Sequence, residues 1–169
     1  MMDSPTALHQ LGRFIFLFQH TEAALTELLT LLADADDEFI RILVNELEYT
    51  KRVKTTGVLF ARFLDIRRGR YDEEKKVFRE LMSELLKLGE RRNEMVHSKY
   101  WMWTNVEGAS GLIRENSVLR ASKGVRESTE EELLPEAFEL DCGRISMALQ
   151  SLEKFRLKII DWVHPNEPA

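Results

Sequence analysis

The sequence predicts an all-α protein: an up-and-down bundle of four or five helices, with a small β-hairpin-like excursion after the fourth. Three observations predict it. Only 4 prolines and 8 glycines interrupt 169 residues, so long helices meet few breakers. Apolar residues recur at steps of three, four and seven along most of the chain. The stretch after Ser98 turns instead to aromatic and β-branched residues around a Gly-Ala-Ser-Gly break, a strand-and-turn composition.

The first helix is expected to open at Ser4 as N-cap with Pro5 at its first position. Leu8, Leu11, Ile15, Phe18, Leu25, Leu29 and Leu32 form its apolar stripe, and Glu22 falls in the gap on that stripe. "DDEFIRILVNEL" reads as a short second helix. "TKRVKTTGVLFARFLDIRR" is a third, with Val53, Phe60 and Leu64 inward, ending at Gly69. The fourth and long helix is "YDEEKKVFRELMSELLKLGERRNEMVHS", capped by Asp72, with acids in its first turn as the helix dipole prefers. Its buried side is marked by Leu81, Leu85, Leu88 and Val96.

Residues 98–127 are expected to form the β-like insert, in which Trp101 and Trp103 share one face. "STEEELLPEAF" is expected to re-enter helix, with Pro135 near its start. The last helix turns Phe138, Ile145, Leu149, Leu152, Ile159 and Val163 inward and stops before Pro165, leaving 165–169 as a frayed tail. No internal repeat or linker composition divides 1–169, so one domain is expected.

Hydrophobic residues at 44% and charged residues at 31% fit a globular chain rather than a disordered one. The single cysteine, Cys142, cannot form an internal disulfide. The N-terminus shows no basic start followed by an apolar run, and the longest apolar run, "FIFLF", is too short for a bilayer. A cytoplasmic protein that does not engage membranes is expected. A net charge of -5 argues against a broad basic nucleic-acid face but not against a small arginine site for one phosphate.

The chemistry is concentrated in "GERRNEMVHSKYWMW", residues 89–103. Arg92 lies four residues after Leu88 and four before Val96, on the expected buried stripe. A sealed, unpaired arginine there would cost several kcal/mol. It must snorkel, open on a groove or partner, or meet an acid, and Glu22 is the matching anomaly on the first helix. Asn93 and His97 are four apart and share a face. Arg92 and His97 are five apart, diverging by about 140° around the axis and about 7.5 Å along it. One helix does not converge them on one phosphate oxygen; two copies packed across a two-fold axis could.

"RNEMVH", residues 92–97, resembles the R-x4-H signature of HEPN domains, including the polar residue that often follows the arginine. The likeness extends to the architecture over residues 5–163, with a polar residue in the first long helix and the motif near the end of a later one. The resemblance implies a metal-independent endoribonuclease without cofactor, often a toxin or anti-phage effector. It implies a homodimer whose motifs line one cleft, RNA as substrate, and an antitoxin protein as a candidate partner. Arg92 and His97 match the signature, Asn93 its polar second position, and Glu22 an approximate location only. Some toxin members carry a tyrosine two residues after the histidine, modified by a partner nucleotidyltransferase. This chain has Ser98 and Lys99 there and Tyr100 one step later, a departure from that pattern.

The chemistry suits the residues. RNA carries its own nucleophile, the 2′-hydroxyl. Histidine moves protons near neutral pH, and arginine presents a planar fork of donors to phosphate oxygens. His97 is the expected proton-transfer group and Arg92 the charge stabiliser, with Asn93 donating a hydrogen bond and Glu22 orienting Arg92. The product would end in a 2′,3′-cyclic phosphate. Arg91, Lys99 and Tyr100 are candidate RNA contacts.

Plainer readings stand beside these. His97 can complement a helix C-terminus, Arg92 can be a structural ion pair with Glu22, and Asn93 can bond the helix end. Arg91 can be solvated, and the two tryptophans can pack on the bundle or a dimer mate rather than stack on bases. Glu94 with His97, and Asp161 with His164, have the E-x-x-H or like spacing of di-iron bundles, but Arg92 would set positive charge beside the metals. The alternative to the ribonuclease is a non-catalytic HEPN module that binds nucleotide, RNA or a protein partner.

Overall fold

A computed structural model describes residues 6–164. Five helices, α1 (Ala7–Ala33), α2 (Asp37–Asn45), α3 (Tyr49–Asp65), α4 (Asp72–Val96) and α5 (Ala137–Val163), surround one apolar core. A three-stranded antiparallel sheet, β1 (Lys99–Thr104), β2 (Ser110–Arg120) and β3 (Val125–Leu133), lies between α4 and α5 in sequence. The helical expectation therefore holds for most of the chain, and the β excursion is larger than expected. Expectations for Ser4, Pro5 and the tail 165–169 fall outside the described residues.

Three of the helices start for a local reason. Thr6 caps α1, its hydroxyl accepting from His9 N at 3.2 Å. The Asp36 carboxylate caps α2 by accepting from the amides of Glu38 and Phe39 at 3.0 and 3.2 Å. Asp72, expected as a cap, is instead the first helical residue of α4, where Asp72, Glu73 and Glu74 face the positive end of the dipole.

Contacts fix the helix directions. Phe60 stacks on Phe78, and the Tyr49 hydroxyl donates to Leu85 O at 3.0 Å, so α3 and α4 are antiparallel. Arg91 meets Asp141 while Glu84 meets Arg144, so α4 and α5 are antiparallel too. Arg13 acts on Cys142 and Glu27 on Arg156, which makes α1 and α5 parallel. The core is the inner stripe of each long helix. On α1 it is Phe14, Phe18, Leu25, Leu28 and Leu32; Leu8, expected inward, is exposed. On α4 the last buried residue is Met95, not Val96, which is exposed. Val53, Phe60 and Leu64 on α3, and Phe138, Ile145, Leu152 and Ile159 on α5, are buried as expected.

The sheet corrects the expected boundaries. The β structure runs to Leu133, past the expected 127, and residues 128–133 of "STEEELL", expected as helix, are strand. They pair along β2, from Ser117↔Ser128 to Leu112↔Leu133. Alternation puts Tyr100, Leu112, Arg114, Glu131 and Leu133 on the face toward the bundle, where Leu112 and Leu133 complete the core. Trp101, Trp103, Ile113 and Glu115 share the opposite face, so the tryptophans do not pack on the bundle.

Among the described residues, no helix is long and apolar enough to cross a membrane.

Candidate functional site

The last turn of α4 divides its polar residues between two environments. Arg91 points to α5 and the sheet. Its Nε donates to Asp141 Oδ2 at 2.9 Å, its Nη1 and Nη2 to the Glu131 carboxylate at 2.9 and 2.8 Å, and Nη1 also to Glu94 at 3.2 Å. Arg114, buried on β2, adds a second guanidinium to Glu131, with Nε at 2.8 Å and Nη2 at 2.7 Å. Two arginines thus clasp one carboxylate from both sides and bind β2 and β3 to α4 and α5. Hydrogen bonds from Arg91, then the positive charges of Arg91 and Arg114, hold the Glu131 carboxyl below its ordinary range against the opposing effect of burial. With its donors taken by carboxylates, Arg91 is not the solvated arginine expected from sequence.

Arg92 turns the other way, toward α1. Its guanidinium sits 5.7 Å above the Phe18 ring, and Nη1 donates to Asn93 Oδ1 at 3.2 Å. It is half-buried. The expected ion pair with Glu22 is not formed: among the described residues neither side chain has a salt-bridge partner. Glu22, one turn beyond Phe18, lies instead near Tyr49, whose phenol is pushed up by burial first and by the Glu22 charge second. The stripe at Arg92 therefore opens to solvent, and the carboxylate expected to neutralise it is absent.

His97 ends the helix. Its amide donates to Asn93 O at 3.0 Å, and its exposed imidazole has no side-chain partner among the described residues. Asn93 is exposed between them and accepts from Arg92. Arg92, Asn93 and His97 thus share the C-terminal end of α4, with Asn93 and His97 exposed and Arg92 half-buried toward α1, and no ion pair joins Glu22 to Arg92. Lys99 is exposed at the start of β1. Tyr100 is folded inward, its hydroxyl donating to Met95 O at 2.6 Å, and burial pushes its phenol up.

The platform under Arg92 was not read from sequence. Phe18 and Tyr49 lie ring to ring, centroids 4.8 Å apart, and Tyr49 fills the space left by Gly89 on α4. A Cβ at Gly89 would come within 2.5 Å of the Tyr49 ring. The signal available was one glycine inside a strongly helical pattern, a frequent mark of close packing.

Among the described residues, no three histidine, cysteine or acidic side chains converge as a metal site. Glu94 of the E-x-x-H spacing turns to Arg91 and Arg114. The Cys142 thiol is buried and pushed up by that burial, which makes it a poor nucleophile.

Comparison with protein-family models, curated proteins and solved structures finds no match to this chain.

Proposed function

We propose that this chain is a metal-independent endoribonuclease of the HEPN type, a toxin or anti-phage effector acting on RNA in the cytoplasm. The observation that carries the reading is Arg92: among the described residues, a half-buried guanidinium with no carboxylate on it, five residues before an imidazole with no side-chain partner. A carboxylate-free arginine keeps its donors for phosphate oxygens. His97 supplies proton transfer.

In the proposed reaction the 2′-hydroxyl attacks the adjacent phosphorus. One imidazole takes the hydroxyl proton, Arg92 holds the charge gathering on the non-bridging oxygens, and a second imidazole protonates the departing 5′-oxygen. The products are a 2′,3′-cyclic phosphate and a 5′-hydroxyl. One chain offers a single His97, so the cleft is built by two copies, each giving an arginine and an imidazole. Asn93 holds the Arg92 fork through its side-chain oxygen.

The test is cleavage of a mixed RNA in EDTA. The wild type should cut, and His97→Ala should lose about 10²–10⁴-fold in rate. Absence of wild-type cleavage, or an unchanged rate in His97→Ala, overturns the reading. The contacts of Arg92 favour a second one. Lying over Phe18 and bonded to Asn93, it also braces α1 against α4, as in a non-catalytic module that binds nucleotide, RNA or a protein.

A further inference from the structure

Helix α2 has two apolar stripes and a place for only one of them. Ile40, Val44 and Leu47 turn toward the bundle, with Val44 buried and the other two half-buried. Phe39, Ile42 and Leu43 turn outward and are 68%, 56% and 65% exposed. They stand at i, i+3 and i+4, the spacing by which one helix seats on another. Glu38 and Glu46 lie on the same outward face, four residues before and after Ile42.

The surrounding charge is one-sided. Residues 34–48 hold six acids, Asp34, Asp36, Asp37, Glu38, Glu46 and Glu48, against the single Arg41. This segment carries a net -5, equal to the net charge of the whole chain. The adjoining clefts add Glu27 and Arg156, and Arg156 is already held by Glu153. Helix capping explains where Asp36, Asp37 and Glu38 sit. It does not explain an exposed phenylalanine, isoleucine and leucine between acids.

We infer that the outward face of α2 seats a cationic amphipathic helix of a partner protein, with apolar anchors on Phe39, Ile42 and Leu43 and basic residues toward Glu38 and Glu46. Charge decides the occupant. A second copy docked face to face would set a -5 segment against its twin. RNA and an anionic membrane are repelled by the same field. A basic helix gains both apolar burial and complementary charge.

The test uses the full chain and three labelled peptides of about 18 residues: leucine and lysine at helical spacing, the same with glutamate for lysine, and a scrambled leucine–lysine control. The leucine–lysine helix should bind by anisotropy and weaken as salt rises. The double variant Ile42→Ser/Leu43→Ser should weaken it about tenfold or more, and Glu38→Gln/Glu46→Gln should flatten the salt dependence. Unchanged melting of these surface variants shows that the fold is intact. Equal binding of the glutamate or scrambled peptide, or equal binding by the serine variant, overturns the inference. So does a dimer in sedimentation that the serine variant abolishes, since the second copy would then be the occupant. His97→Ala should bind the peptide as the wild type does, so the outcome is independent of the ribonuclease reading.

Discussion

Arg91 and Arg92 are neighbours in sequence and face opposite ways in the structure. Arg91 is held by Glu131 and Asp141, 40 and 50 residues away, and nothing local in the sequence announces partners at that distance. The motif was legible because Arg92, Asn93 and His97 lie within six residues of sequence. The Glu22–Arg92 pair was misjudged because a place on the apolar stripe of each helix does not fix which way two long side chains point. Replacing Arg91 by alanine should cost about 2 kcal/mol, since Asp141 and Glu131 lose their principal donors in a partly buried setting; the drop in urea midpoint measures it. Glu131 adds a pH signature. Its folded pKa lies below its ordinary 4.5, so its contribution to stability is present above that value and is lost as pH falls through the lower, folded one. Melting temperature should therefore fall below about pH 4.5, and Glu131→Gln should flatten that acid limb.

At the scale of elements, the helices were readable from their apolar spacing, though Met95 and Val96 exchanged places because a one-residue error in phase is about 100°. The third strand was not readable. "ESTEEEL" is acid-rich and runs into leucines, which resembles a helix start; its strand state comes from pairing with β2 and from Arg91 and Arg114 waiting for Glu131. Tertiary pairing overrides weak strand propensity in this way. The joint of α3 with α4 makes a sharper prediction. Gly89→Ala should displace the Tyr49 ring, break its 3.0 Å bond to Leu85 O, and destabilise by about 1–3 kcal/mol despite the better helix propensity of alanine. Thermal melts compare the variant with wild type, and a gain in stability would show that α4 and Tyr49 relax apart without cost.

At the scale of the molecule, the two ends of the argument meet in the pairing of copies. A single chain places one guanidinium and one imidazole on a helix end, diverging around its axis, while a transesterification needs a proton acceptor, a proton donor and charge stabilisation at one phosphate. The acidic face of α2 is proposed for a cationic partner, and the end of α4 for a second copy. The most direct measurement is RNA cleavage in EDTA by mixed subunits. Wild-type and His97→Ala chains are each purified, assayed alone, then co-refolded in varied ratio and assayed together. The account predicts that His97→Ala alone is nearly inactive and that activity falls as the square of the wild-type fraction, because a hybrid cleft holds one imidazole where proton acceptor and proton donor need two. Hybrid dimers that keep activity, so that the rate falls only in proportion to the wild-type fraction, would contradict it.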